Sequence, residues 1–232
     1  MRGRRRLDDG DLAQLTALYD AGVRQVDDEI RKLLEYLEQE GLEETTAIVV
    51  TSDHGEEFME HGGVLHARTY FREVIDVPLV MAGPGVPPGW RSDVVASHVD
   101  IAPTLLALAG LPVPASMAGL DLTRYWGPSP PPAKNRYLFA EADHSNQIPD
   151  QYRMVRHANY KLIVDRHSGV ARLYDVAADP EERRDVGGKH PGRVREHRAA
   201  LRAFESEPKA AGGSLDLSRE DLEALRELGY AE

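Results

Sequence analysis

The chain contains no cysteine among its 232 residues. This absence excludes disulfide bonds, a thiolate zinc site and a cysteine nucleophile within these residues. Aromatic residues make up only 6% of the chain, and no apolar run approaches the ~18 residues that a membrane-spanning helix needs. We therefore expect no membrane span, and any chemistry must rest on oxygen and nitrogen groups.

Positive charge is also scarce. Lys and Arg total 28 against 39 Asp and Glu, which gives a formal net charge of −11. Nonspecific binding of nucleic acid needs a basic surface, so no nucleic-acid partner is expected. The basic start Met1–Arg6 is followed by the acidic stretch Leu7–Asp11 instead of an apolar one. This excludes a signal peptide at this position and leaves a cytoplasmic location as the default expectation.

The first half of the sequence alternates helix and strand patterns. Apolar residues recur every three or four positions in Asp11–Glu40, which predicts one long amphipathic helix ended by Gly41. Short apolar runs then predict three strands, at Thr46–Thr51, Val77–Ala82 and Val94–His98. Helix followed by buried strand indicates an α/β layer.

The second half follows a different pattern. Proline and glycine between residues 127 and 136 indicate a linker. Period-two strands separated by turn residues predict an antiparallel meander, at Tyr137–Glu141, Tyr152–His157, Tyr160–Asp165 and Ala171–Val176. Helices are predicted at His190–Glu205 and Ser218–Leu228. We therefore predict an α/β domain over residues 1–126, a linker over 127–136 and a small C-terminal subdomain over 137–232.

The strongest chemical signal is the sequence Ser52-Asp53-His54-Gly55 at the end of the first predicted strand. Ligands in open α/β sheets bind just beyond the carboxyl ends of the strands. A carboxylate beside a neutral imidazole suits a divalent metal ion, so Asp53 and His54 are candidate ligands. The alternative is a capping aspartate beside a solvent-exposed histidine.

Two further histidines, His61 and His66, follow in a segment rich in glutamate. Gly62 and Gly63 allow the backbone to approach a ligand closely. The planar guanidinium of Arg68 suits an anionic oxygen. The alternative for the whole segment is a polar surface loop, and from the residues alone the two interpretations are equally supported.

Other polar residues have simpler interpretations. His98 and Asp100 follow the third predicted strand and could reach the edge of the same pocket, but Asp100 is favoured as the cap of a helix over Ile101–Ala109. The Asp143–His144 pair resembles a second ligand pair, although a solvated loop is the favoured interpretation. Lys161 lies in a predicted apolar strand, where its amine would extend to the solvent beside the sheet.

Several short segments of the chain also follow one another in a characteristic order. They are Tyr19–Leu42, Val49–Glu56, Glu60–Gly62, His66–Glu73, Asp76–Leu79, Ser97–Gly110, Tyr160–Ile163, Leu173–Asp175, Asp179–Glu181 and Leu225–Tyr230. Their joint order resembles the sulfatase family of the alkaline-phosphatase superfamily. The resemblance implies a partial alkaline-phosphatase-like sheet with flanking helices and a small C-terminal α+β domain with antiparallel strands.

The resemblance also implies roles for the histidine-rich segment. Asp53 and His54 match metal ligands of the family. His66 lies within one residue of a lysine that contacts the leaving group in many members, with Ala67 as the competing match. Ca²⁺ is the ion most typical of the family, while an imidazole at position 54 suits Mn²⁺ or Zn²⁺ as well.

The expected substrate is a sulfate ester, with His61 and Arg68 as weaker matches at the rim of the pocket. Phosphodiesters and phosphonate esters remain alternatives. The family's nucleophile is a formylglycine made from the first residue of a Cys/Ser-x-Pro-x-Arg motif, and the chain contains no such motif. We therefore expect the C-terminal portion of a sulfatase-like enzyme, or else a non-catalytic fragment or association domain. A truncated sheet would also favour self-association through its exposed edge.

Overall fold

The computed structural model describes residues 7–66, 69–127, 130–131, 135–141 and 152–207. Some predictions lie outside these residues, namely those for Ala67, Arg68, the Asp143–His144 pair, the helix at Ser218–Leu228 and the segment Leu225–Tyr230. The predicted linker over residues 127–136 is described only in part.

The long N-terminal helix is confirmed. Helix α1 spans Asp9–Gln39 and begins with a capping box, in which Asp8 accepts a hydrogen bond from the Asp11 backbone and Asp11 accepts one from the Asp8 backbone. Gly41 follows the helix with φ +66°, a conformation suited to glycine at a helix end. None of the residues of α1 is buried.

The first predicted strands form a small antiparallel pair. Strand β1 (Ile48–Thr51) pairs with β4 (Leu79–Ala82), with Thr51 opposite Leu79. Between them in sequence lie a short hairpin of β2 (Glu57–Phe58) and β3 (Val64–Leu65), and the short helix α2 (Arg72–Ile75). These short elements hold the histidine-rich segment beside the end of β1.

The predicted strand at Val94–His98 is wrong. That segment has no strand pairing and leads into a 3₁₀ turn at His98–Asp100, which is followed by helix α3 (Ile101–Leu108). The carboxylate of Asp100 accepts the Ser97 backbone N–H at 2.8 Å and closes this 3₁₀ turn. Local capping therefore replaces pairing in this segment.

The prediction that Asp100 caps α3 also needs correction. Asp100 occupies the N-cap position, but its side chain makes no capping hydrogen bond to α3. It is fully buried, accepts the Leu120 backbone N–H at 2.7 Å and forms an ion pair with Arg136. The contact with Arg136 attaches the start of α3 to the segment that precedes the C-terminal sheet.

The C-terminal meander is confirmed. Its four strands are antiparallel in chain order: β5 (Leu138–Glu141), β6 (Tyr152–His157), β7 (Tyr160–Asp165) and β8 (Ala171–Asp175). Helix α4 (Pro191–Ser206) covers one face, and proline at its first position suits a helix start. A further 3₁₀ turn spans Leu122–Tyr125.

The main apolar core lies in this C-terminal sheet. Val155, Leu162 and Leu173 are completely buried, and Leu201 of α4 packs against them. The prediction that the Lys161 amine reaches the solvent is wrong. Its side chain is only 2% exposed, and Nζ lies 2.7 Å from Oε1 of Glu182. The amine is therefore paired inside the protein and does not extend to the solvent. In the described part of the chain, no helix is both long and apolar enough to cross a membrane.

Candidate metal centre

The site begins at a tight turn after β1. Gly55 donates its backbone N–H to the carbonyl oxygen of Val74 in α2 at 2.7 Å. A Cβ atom added at Gly55 would lie 2.1 Å from the carbonyl oxygen of Glu73, so only glycine allows this approach. The turn that carries Asp53 and His54 is thus held directly against α2.

Three side chains converge beside this turn. Ligand atoms of His54, Glu56 and His66 all lie within 4.8 Å of one another. The rings of the two histidines are stacked with their centroids 4.0 Å apart. Nδ1 of His66 lies 2.6 Å from Oε1 of Glu56. Imidazole nitrogens and carboxylate oxygens are both donors of the kind that Mn²⁺ and Zn²⁺ accept.

Glu56 supports this interpretation independently. Its second oxygen, Oε2, is buried and has no hydrogen-bond partner among the residues that the structure describes. An unpartnered buried carboxylate oxygen is costly unless a cation or a donor reaches it. The residues present therefore fit a divalent ion.

Asp53 lies at the edge of this group but outside it. Its side chain is 73% exposed, and Oδ2 lies 3.7 Å from Nε2 of His54. Partial desolvation acts to raise the pKa of Asp53, but the hydrogen bond from the His54 backbone and attraction to the His54 ring outweigh it and lower that pKa. The ionised carboxylate is the form that a metal ion needs.

The structure places His61 elsewhere. Its ring stacks on Phe71 at 3.6 Å, and Nδ1 lies 2.6 Å from Oε1 of Glu73. Nε2 lies 3.2 Å from the carbonyl oxygen of Glu182, and only 10% of the side chain is exposed. His61 is thus packed against α2 and is not among the three converging side chains. A substrate contact by His61 stays a prediction.

Two glutamates beside the histidines received no individual role from the sequence. Glu56 directly follows Gly55, and its position after the Asp-His-Gly turn was the available signal. Glu57 is 1% exposed and accepts hydrogen bonds from the backbone N–H groups of His61 and Gly63. It also accepts the Thr69 hydroxyl at 3.1 Å, so it holds the loop that carries His66.

The converging side chains open into a wide cleft. Asp53, His54 and His66 line a volume of about 1730 Å³, together with β4 and parts of β5 and β6. His98 also lines it, and its Nε2 lies 2.8 Å from the carbonyl oxygen of Ser52. The cleft is larger than the ~300–1,000 Å³ of an ordinary ligand pocket. His54 and His66 are therefore accessible from the cleft.

Comparisons with known proteins identify the family. The family profile described as sulfatase matches residues 3–111. The profile described as N-sulphoglucosamine sulphohydrolase, C-terminal, matches residues 59–200. The chain belongs to the sulfatase family. Its members are sulfuric ester hydrolases of the alkaline-phosphatase-like fold, typically with a bound metal, so the predicted family and fold class are confirmed.

Similar proteins include arylsulfatase K of Xenopus laevis, which is 28% identical over 214 residues, or 87% of this chain and 39% of the relative. A solved structure of a 2-O GAG sulfatase is 26% identical with a TM-score of 0.76, covering 91% of this chain and 47% of that one. The phosphonate monoester hydrolase of Agrobacterium radiobacter is 25% identical with a TM-score of 0.69, covering 85% and 42%. The chain thus spans less than half the length of these proteins.

Proposed function

We propose that this chain supplies the metal-binding and leaving-group side of a sulfate ester hydrolase. The observation that carries the proposal is the convergence of His54, Glu56 and His66 at the carboxyl end of β1. Membership of the sulfatase family supports the reaction class. The division into a domain at 1–126, a linker at 127–136 and a subdomain at 137–232 remains part of the proposal.

The proposed metal ligands are His54 and Oε2 of Glu56 from the converging group, together with Asp53 at its edge, while His66 is left for a separate role. Two oxygens and one imidazole nitrogen suit Mn²⁺ or Zn²⁺, while Ca²⁺ remains the ion most typical of the family. When bound, such an ion supplies positive charge against the ester oxygens of the substrate. The contact of Oε1 with Nδ1 of His66 would hold the Glu56 carboxylate in place beside the ion.

His66 is the proposed catalytic acid. If Nδ1 donates its hydrogen to Oε1 of Glu56, the ring is oriented and Nε2 is left to carry the transferable proton. Protonated His66 would donate this proton to the leaving oxygen as the ester bond breaks. Its side chain is 45% exposed, which allows exchange of the proton with solvent. Arg68 and His61 remain proposed contacts of the substrate at the rim.

The proposed substrate class is a sulfated sugar, because a 2-O GAG sulfatase is among the similar structures. A formylglycine nucleophile would have to come from a segment that these 232 residues do not contain. We therefore expect no ester hydrolysis by this chain alone. Turnover is expected in a longer polypeptide that joins it to a segment with the Cys/Ser-x-Pro-x-Arg motif.

A phosphonate monoester is the second candidate substrate. It is favoured by the structural likeness to the hydrolase of Agrobacterium radiobacter and by the imidazole at position 54. Parallel assays of the longer polypeptide with 4-nitrophenyl sulfate and a 4-nitrophenyl phosphonate separate the two. Faster hydrolysis of the phosphonate would show that a phosphonate monoester, and not a sulfate ester, is the substrate.

Metal binding is the first test and uses the chain itself. Co²⁺ is titrated by calorimetry and by its visible absorption, which reports the coordination geometry. His54→Ala and Glu56→Gln should each weaken Co²⁺ binding at least about tenfold. His167→Ala is the matched control, because His167 lies in the turn between β7 and β8 and belongs neither to the cluster nor to the lining of the cleft. Equal affinity in wild type and His54→Ala would contradict the proposed ligands.

The acid role of His66 is tested in the longer polypeptide. His66→Ala should slow hydrolysis of an alkyl sulfate far more than that of 4-nitrophenyl sulfate, whose leaving group needs little protonation. His167→Ala serves as the comparison, since His167 lies in the turn between β7 and β8. An equal loss with both leaving groups would contradict proton donation by His66.

A further inference from the structure

A single carboxylate far along the chain connects the C-terminal sheet with the candidate metal centre. Glu182 follows β8, is 2% exposed and has φ +53°. A residue other than glycine rarely adopts this left-handed conformation, and it persists only where surrounding contacts enforce it. The contacts of Glu182 are therefore informative.

The Glu182 carboxylate is bound on two sides. Nζ of Lys161, on β7, lies 2.7 Å from Oε1 and 2.9 Å from Oε2. Oε2 also accepts the backbone N–H of Arg72, the first residue of α2, at 2.7 Å. The residue before α2, Phe71, provides no side-chain cap of its own. Glu182 thus supplies this acceptor from 110 residues away in sequence.

Helix α2 in turn holds the metal-site turn. The carbonyl oxygen of Val74 accepts the backbone N–H of Gly55 at 2.7 Å. Gly55 lies between His54 and Glu56, so its position sets the directions of both side chains. A continuous path of short contacts therefore runs from Lys161 and Glu182 through α2 to the cluster.

The backbone of Glu182 makes a second contact that also acts on α2. The backbone carbonyl oxygen of Glu182 lies 3.2 Å from Nε2 of His61, whose Nδ1 lies 2.6 Å from Glu73 on α2. The His61 ring also stacks on Phe71 at the start of the helix. Side chain and backbone of Glu182 thus act on the same short element.

We propose that Glu182 is a positioning residue, whose Lys161-paired carboxylate fixes α2 and thereby the Gly55 turn with its ligands His54 and Glu56. This inference rests on the proposed metal site. Glu182 is buried against Lys161 and the start of α2 and is not one of the proposed ligands. Its effect is expected in the order of the Gly55 turn and in metal affinity.

The sharpest test removes the Arg72 donor and leaves the buried ion pair intact. Arg72→Pro deletes the N–H group, and proline suits the first position of a helix after an extended residue such as Phe71. Arg72→Ala is the matched control, because it loses the same side chain but retains the N–H. Exchange of the Gly55 amide hydrogen is followed by NMR, and Co²⁺ affinity by titration, in the full 232-residue chain.

We expect Arg72→Pro to accelerate Gly55 exchange about tenfold relative to Arg72→Ala, and to weaken Co²⁺ binding by about tenfold or more. Exchange of the Leu162 amide in the sheet should be the same in both. If the two variants match in Gly55 exchange, the proposal is overturned, even if Arg72→Pro melts at a lower temperature. If wild type binds no Co²⁺, the metal site fails separately, and the Gly55 comparison still decides the role of Glu182.

A second pair of variants tests the acceptor. Lys161→Met/Glu182→Gln and Lys161→Met/Glu182→Met both replace the buried ion pair with neutral groups, but only the first retains an oxygen for the Arg72 N–H. Gly55 protection should survive in the glutamine variant and decrease about tenfold in the methionine variant. Equal protection in both would overturn the proposal. Glu181→Gln should have no effect, because Glu181 is 61% exposed and its carboxylate pairs with the side chains of Arg72 and Arg183.

Discussion

The four-stranded sheet β5–β8 and the long helix α1 differ in what they bury. The sheet contains Val155, Leu162 and Leu173, all with no solvent exposure. Helix α1 spans 31 residues with a clear apolar stripe, yet none of its residues is buried, and Val23 and Leu33 are 54% and 53% exposed. Since helix stability in proteins comes mostly from packing of the apolar face, stability of this chain should lie in the sheet.

The region between α1 and the sheet follows a third pattern. Its best-buried groups include charged ones, namely Glu57 and Asp100, each accepting several hydrogen bonds. Such networks fix the directions of loops, whereas apolar burial supplies most of the driving force for folding. Apolar burial therefore stabilises the sheet, whereas hydrogen-bonded charged groups fix the loops of the candidate site.

The largest expected effect tests the sheet. Leu162→Ala should lower the free energy of unfolding by about 3 to 4 kcal/mol, because it leaves a cavity in a closed core. Urea unfolding followed by circular dichroism measures this. Leu33→Ala on α1 is the matched control, and its change should remain within about 0.5 kcal/mol. Similar losses for both leucines would show that α1 is packed as firmly as the sheet.

A somewhat smaller effect is expected at the ion pair of Asp100 with Arg136. Asp100→Ala leaves the guanidinium, which is 19% exposed, and two backbone N–H groups without their acceptor. We expect a loss of about 3 kcal/mol in the same unfolding experiment. Asp28→Ala removes a surface ion pair with Arg31, whose side chains are 38% and 50% exposed, and should leave the unfolding midpoint unchanged. An equal midpoint shift in both variants would remove the distinction between buried and exposed charge.

Gly55→Ala tests how firmly the site itself is held. The added methyl group would meet the Glu73 carbonyl oxygen at 2.1 Å, so the turn or α2 must move. We expect a cost of about 2 kcal/mol and a decrease in Co²⁺ affinity. Gly188→Ala is the control, because a Cβ there meets nothing within 4 Å. Unchanged Co²⁺ affinity in Gly55→Ala would show that the turn does not set the positions of the ligands.

The sequence was most informative where structure depends on local periodicity. The bounds of β6 and β7 match their predicted ranges, since alternating apolar residues and the intervening turn mark both ends. The segment Val94–His98 has similar composition but finds no pairing partner in the described structure, and strand formation depends on that partner. Lys161 was misjudged for the same reason, because its partner Glu182 lies in a loop 21 residues later.

In the candidate site too, the sequence predicted the residues but not their partners. Asp53, His54 and His66 were named from residue types near one strand end, and the structure brings His54 and His66 together. The sequence did not show that the two neighbouring glutamates have different partners. Glu56 contacts His66, whereas Glu57 accepts hydrogen bonds from the backbone of its own loop. Likewise, no sequence pattern links Glu182 with α2, because the contact joins residues 110 positions apart.

The smallest expected effect asks whether α1 folds together with the sheet. Gly22 lies within α1 and a Cβ there meets nothing, so Gly22→Ala should stabilise the helix by about 1 kcal/mol. The neighbouring change Ala21→Gly should have the opposite sign and similar size. Because α1 touches the remainder through few groups, such as the Tyr19–Phe58 ring contact at 5.2 Å, the change should appear only in amide exchange of α1. A matching shift in the unfolding midpoint of the sheet would mean that the exposed helix and the buried core unfold as one unit.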